Sequence, residues 1–209
     1  MRRLLLALPL FIAAPLLAQQ MTRPGSPNPA AVAAGAYTAD SDHTLVEWEV
    51  DHLGFSPYFG LFGSITGTLQ LDPKNPSAAK VDVTIPVSKI ITASAGLTSH
   101  LLRAPAAGSD KPDFFGPTPA DARFVSTKVV ATGQTATIAG DLTLNGVTKP
   151  VTLQAKFYGA GKSPPQMGGK DNIGFTATGS IKRSDFGLAT GIPLVSDEVK
   201  LKISAAFAK

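Results

Sequence analysis

Three histidines, His43, His52 and His100, are the side chains of this chain best suited to proton transfer or metal binding near neutral pH. No H-x-H, HExxH or HxxE spacing joins them, and there is no cysteine to complete a metal site. His52 closes "TLVEWEVDH", where the alternate residues Val46, Trp48, Val50 and His52 share one face. A lone imidazole on such a face is either a hydrogen-bonded core residue or a contact for a polar head group. Arg183, in "IKRSDFGL", is in phase with Ile181 and is followed two residues later by Asp185. A structural Arg–Asp pair and a head-group anchor are its two readings. The DFG triplet there carries no kinase meaning, because no glycine-rich ATP loop or catalytic HRD accompanies it. Neither a serine nucleophile elbow nor a phosphate loop occurs. Catalysis finds little to work with, so the chain is expected not to be an enzyme and to require no cofactor or metal.

The elements that hold these residues have a period of two almost throughout, the signature of half-buried strands. "SITGTLQLD" sets Ile65, Leu69 and Leu71 against Thr66, Thr68 and Gln70, and "KVDVTIPV" alternates in the same way. "ARFVSTKVV" alternates weakly. "TATIAGDLTL", "VTLQAKFYG", "NIGFTATGSIKR" and "EVKLKISAAF" complete about eight strands, each with a wet and a dry face. Such alternation predicts antiparallel pairing, since strands covered on both faces read as continuous apolar runs. "TASAGLTSHLLRA" alone has helical spacing, enough for one or two turns. Between "GDLTL" and "VTL", a two-residue Asn145-Gly146 turn would place Lys149 opposite Leu142 on the dry face. A six-residue loop from Asn145 to Pro150 avoids this and is the expected connection. An all-β domain of this kind is a two-sheet sandwich or a closed barrel, and periodicity leaves both open.

The ends of the chain set its context. "MRR" followed by the apolar "LLLALPLFIAAPLLA" reads as a secretory signal peptide over residues 1–18, with cleavage expected after Ala18. Residues 19–36, rich in Pro and Ala, read as a flexible tether, and residues 37–209 as the folded domain. Of 19 basic residues, Arg2 and Arg3 belong to the leader, so 17 remain against 15 acidic ones. That balance excludes a nucleic-acid or polybasic membrane binder. The expected location is the periplasm, with no stable membrane anchor after cleavage; monomer and homodimer are both left open.

Six segments occur in one order: "DSDHTLVEWEVDHLGFSPYFGLFGSITGTL", "HLLRA…DFFG", "ARFVSTKV", "GDLTLNGVTKPVTL", "IKRSDFGL" and "SDEVKLKI". Together they resemble the YceI-like family of bacterial periplasmic proteins, from about Tyr37 to Phe207. The resemblance implies an extended, antiparallel, eight-stranded, lipocalin-like barrel with one short helix, whose lumen holds an isoprenoid lipid such as a polyprenyl compound or a quinone tail. Two departures stand out. "APAAGSDK" (Ala104 to Lys111) separates the helix from "DFF", and "PTPADARF" replaces the more usual acidic residue and tyrosine-proline pair. The longer loop is expected to cap the cavity mouth.

On that barrel the lumen wall is expected to comprise Val46, Trp48, Val50, His52, Ile65, Leu69, Ile85, Ile138, Leu142, Leu144, Val151, Leu153, Phe157, Phe175, Ile181, Leu201 and Ile203. Phe55, Phe59 and Phe62, in "GFSPYFGLFG", and Phe114 and Phe115 are expected at the portal, because paired phenylalanines in glycine-rich loops are hard to explain as core. The small residues Gly140, Ala155, Ala177, Gly179 and Ala205 fall at inward positions and are expected to leave space. The expected function is a carrier that sequesters an apolar isoprenoid lipid without chemistry. A quinone-linked redox or enzyme accessory protein, and a structural or stress-related barrel filled by its own side chains, are the competing readings.

Overall fold

The computed structural model describes residues 22–209. The expected signal peptide lies outside the described residues. Eleven strands follow in chain order: β1 (Gly35–Ala39), β2 (Leu45–His52), β3 (Ser56–Phe62), β4 (Thr66–Leu71), β5 (Lys80–Ile85), β6 (Ile91–Thr92), β7 (Ala122–Thr132), β8 (Thr135–Leu144), β9 (Val147–Lys162), β10 (Asp171–Lys182) and β11 (Glu198–Ala208). Among the described residues one α-helix, α1 (Ala95–Leu101), sits between β6 and β7, with the Ser94 side chain accepting from the Leu97 N–H at its start.

Strands β1, β4, β5, β7, β8, β9, β10 and β11 pair in that order, every pair antiparallel, and β11 returns to β1 through Thr38↔Ala208 and Ala39↔Phe207. The ring is closed, so the sandwich is excluded. Lower on the wall β2 takes the place of β1 beside β11, with Leu201 opposite Trp48, and β3 pairs with β2. Seven of the eight staves, together with β2, were legible in the alternation; β1, β3 and β6 were not. The "GFSPYFGLFG" segment, read as a glycine-rich loop, is largely strand β3, because Tyr58, Gly60 and Phe62 continue the alternation of β2 across the hairpin.

Two bulges explain the weak patterns. In β7 the register shifts between Ser126 and Lys128, so Ala122 and Phe124 face inward before it and Val129 and Ala131 after it. In β10 and β9 the shift at Gly174/Phe175 leaves Tyr158 exposed while Phe157 and Ala160 are buried. Between β8 and β9 the connection is the two-residue turn, not the six-residue loop: Asn145 (φ 51°) and Gly146 (φ 77°) are both left-handed, as a type I′ turn requires. Lys149 therefore does pair with Leu142.

The tether also takes a different form. Ser26 exchanges backbone hydrogen bonds of 3.0 and 2.9 Å with Ala160, and Asn28 caps a short 3-10 turn over Pro29–Ala31. Glycines make room for this contact, since a Cβ on Gly161 would overlap the backbone of Pro24 and Gly25. The part of the tether from Pro24 to Val32 is laid against the barrel instead of hanging free.

Candidate binding cavity

One end of the barrel is closed. Ile65, Ile85, Val87, Ala122, Leu144, Phe186 and Leu188 pack there as one buried cluster, with Phe62 and Phe115 against it. Above this floor the wall residues enclose a cavity of about 320 Å³, at the lower end of the ~300–1,000 Å³ usual for small-ligand sites. Among the described residues, Thr44, Gln134 and Thr135 are its only lining residues with polar side chains, and none is charged. Thr44 is itself satisfied, its hydroxyl donating to the Ala206 carbonyl at 2.9 Å. A lumen of this composition gains nothing from polar solutes and removes hydrocarbon from water at about 25 cal/mol per Å².

The exposed lining residues fix the mouth. Pro29, Pro73, Pro76, Gly133, Gln134 and Thr135 are the lining residues that are also exposed. They belong to the N-terminal segment, the β4–β5 loop and the β7–β8 turn, all at the end opposite Phe186. The mouth is thus framed by prolines, with the N-terminal segment as one lip.

Space inside comes from a row of alanines. Ala136, Ala155 and Ala177 are register partners across β8, β9 and β10, and all three line the cavity, as does Ala205. Gly140 and Gly179 do not leave room as expected. A Cβ on Gly140 would overlap the Phe124 ring, and one on Gly179 would press on Leu153, so larger neighbours already fill those positions.

Of the residues expected in the wall, Val46, Ile65, Leu69, Ile85, Ile138, Leu142, Leu144, Val151, Leu153, Phe157, Phe175, Ile181, Leu201 and Ile203 line the cavity. Trp48, Val50 and His52 do not. Pairing of β11 with β2 ends at Lys200↔Glu49, and beyond it β2 and β3 leave the ring as a hairpin arm. Trp48 is still paired with Leu201, but its indole packs over Gly60 and not into the lumen; past the last pair, Val50 is buried opposite Tyr58 and His52 is exposed.

The phenylalanines expected at a portal are at the wrong end for one. Phe62 lines the floor and meets Phe115 edge-on, ring centroids 6.3 Å apart. Phe114 packs edge-on to His100 at 5.2 Å. Phe55 is 87% exposed and Phe59 57% exposed, on the hairpin arm. The Ala104–Lys111 loop does not cap the mouth either. Asp113 accepts from Arg103 at 2.6 Å and lies 2.8 Å from His100 Nε2, and the Phe115 N–H donates to the Leu101 carbonyl at 3.0 Å. Both ends of the insertion are pinned to α1 at the closed end, and the inserted residues bulge into solvent.

Arg183 forms no pair with Asp185, which is exposed. It is buried, and its guanidinium donates to the carbonyls of Ser196, Leu188, Thr190 and Val195 at 2.6–2.9 Å. Five N–H donors in a fixed fork suit this task. Burial pulls its pKa down, and nearby Asp197 offsets part of that. Arg183 thus gathers the 187–197 connection under the floor and points no donor into the lumen.

Some lining residues escaped the sequence reading. Val81 and Val83 are in phase with Ile85 and were accessible from the pattern, whereas Phe124 and Val129 were hidden by the β7 bulge. Pro29 and Val32 carried no periodic signal at all.

Known proteins share this arrangement. Residues 37–207 match the family model of the YceI-like domain. The chain is 44% identical over 174 residues to protein YceI of Shigella flexneri, covering 82% of this chain and 85% of that protein. The YceI protein of Campylobacter jejuni superposes with a TM-score of 0.61 at 32% identity, covering 76% of this chain and 89% of its own. A polyisoprenoid binding domain from Saccharophagus degradans, implicated in plant cell wall breakdown, has the same fold, with a TM-score of 0.54 at 13% identity over 82% of this chain and 97% of that one. The match runs from β1 to β11 and takes in the whole ring, so this chain belongs to the YceI-like family.

Proposed function

We propose that this protein is a non-catalytic carrier that holds the hydrocarbon tail of an isoprenoid lipid in its barrel, in the periplasm after export. The observation that carries the reading is the charge-free cavity, apolar from Phe62 at the floor to Pro73 and Pro76 at the mouth. Each methylene moved into it from water contributes about 0.8 kcal/mol, so a tail binds without any polar recognition in the lumen. The isoprenoid assignment draws on the family and on the Saccharophagus degradans domain described as polyisoprenoid binding. Against the redox reading stands the placement of His52 and Arg183 outside the cavity. Against the self-filled barrel stands the open row of Ala136, Ala155 and Ala177.

The test is purification from the native host without detergent, organic extraction and mass spectrometry of the extract. An isoprenoid recovered near one per chain is expected. Protein that is repeatedly empty, or that carries only polar metabolites, overturns the proposal.

A further inference from the structure

The barrel wall has a seam. Strands β9 and β10 are paired from Lys162↔Asp171 down to Gln154↔Thr178, and there their pairing stops. Below that level β9 stays with β8 down to Val147 and β10 stays with β11 down to Lys182. Between them opens a recess of about 500 Å³, lined from β9 by Lys149, Pro150 and Val151 and from β10 by Ser180, Ile181 and Lys182. Asp185, Phe186 and Glu198 complete its rim. Val151 and Ile181 line both this recess and the lumen. The recess and the hydrocarbon cavity therefore share Val151 and Ile181 as a wall, just above the closed end.

Lys149 is the anomaly that gives the seam a meaning. Its register partner is Leu142, a lumen residue, so Lys149 occupies an inward position on a lumen strand. A cation at such a position is costly unless water or a counter-ion reaches it. It is nonetheless exposed, through the gap that β10 leaves, and no ion pair among the described residues includes it. The other charges at the seam are Lys182, the register partner of Glu198, and Asp185, which is exposed on the short turn below and forms no ion pair with Lys149. Lys149 is left as the cation closest in register to the tail.

We propose that the seam is a head-group site, where the oxyanion of an amphiphile, a phosphate or a carboxylate, sits on Lys149 while its tail runs up the lumen toward the proline-framed mouth. This rests on the lipid-binding reading and specifies which lipids it favours. The ligand then enters tail-first through the wall, and its charge never crosses the apolar cavity.

The experiment compares geranylgeraniol, geranylgeranyl monophosphate and palmitate on the intact protein by calorimetric titration, for the wild type, Lys149→Gln and Lys149→Arg. Wild type is expected to bind at least one of the two anions about tenfold more tightly than the alcohol, the scale of one charge-assisted hydrogen bond. Lys149→Gln is expected to erase that preference while leaving the alcohol unchanged, and Lys149→Arg to keep it. The preferred anion identifies the head as phosphate or carboxylate. Equal affinity for alcohol and both anions in the wild type, or a loss in Lys149→Gln that is the same for all three, overturns the head-group site while leaving the carrier standing. No binding of any of the three defeats the carrier reading itself.

Discussion

Arg183 shows how a residue that looks functional in sequence can be a construction element. Its four carbonyl acceptors come from Leu188, Thr190, Val195 and Ser196, all in one connection. Removing the guanidinium leaves several of these carbonyls unsatisfied beneath the barrel floor, and hydrogen bonds to charged groups contribute about 1.5–3 kcal/mol each at most. Arg183→Ala is expected to lower stability by about 3 kcal/mol or more in urea unfolding, and Arg183→Lys to recover only part, since an ammonium lacks the planar fork. Three carboxyls make the residue-scale electrostatics sensitive to acid. Asp82 is held below its usual 3.8 mainly by the hydrogen bond from Arg123, Asp113 by His100 and then Arg103, and Asp197 by the Ser184 N–H and hydroxyl. A carboxyl whose pKa is lowered by folding contributes stability that is present above 3.8 and lost as pH falls through its folded value. The urea midpoint is therefore expected to drop between pH 5 and about pH 3, and Asp197→Asn to show a smaller drop; a midpoint indifferent to that pH change would refute the assignment.

At the scale of elements, what the sequence made legible follows from how side chains report their surroundings. Regular alternation in β4, β5, β8 and β11 exposed those strands directly, because one face meets the lumen and the other water. The β7 strand was faint because its bulge changes which parity faces inward, and β3 was misread because its glycine and aromatics resemble a loop. Gly60 is glycine for a packing reason, the Trp48 ring lying where a Cβ would be. His52 was placed in the lumen on sound phase, and the error lay in assuming that β2 stays in the wall to its last residue. The direction of the cavity was not legible at all, since alternation says which face is dry and nothing about which end is open. The Ala104–Lys111 insertion is a case where the element decides the outcome: with Arg103, Asp113 and Phe115 already fixed to α1, the residues between make no backbone contact that the barrel needs. Deleting Pro105–Ser109 is expected to shift the melting temperature by no more than a few degrees and to leave lipid recovery unchanged, as for other exposed loop changes. Lost lipid binding in that variant would return the insertion to the gate of the cavity.

For the molecule as a whole, the cavity exists because one level of the barrel is lined by alanines while the levels around it are not. At the floor, Phe186 is 1% exposed and the interior is full; at the level of Ala136, Ala155 and Ala177, three adjacent strands contribute a methyl each. A closed eight-stranded ring has just enough interior for side chains to fill it, so the choice between plug and vessel rests on a few such positions. Ala155→Phe puts a ring at the centre of that row. In a packed core an insertion of this size costs about 1–3 kcal/mol through strain, but here the ring enters the void and is expected to cost little or even to stabilise. The variant is therefore expected to melt within a few degrees of the wild type while extracting with markedly less lipid. Phe59→Ser, on the exposed face of the hairpin arm, is expected to change neither stability nor lipid content. A folded Ala155→Phe protein that still carries its full complement of lipid would mean that the ligand does not lie in the lumen, and the carrier mechanism would have to be rebuilt around another surface.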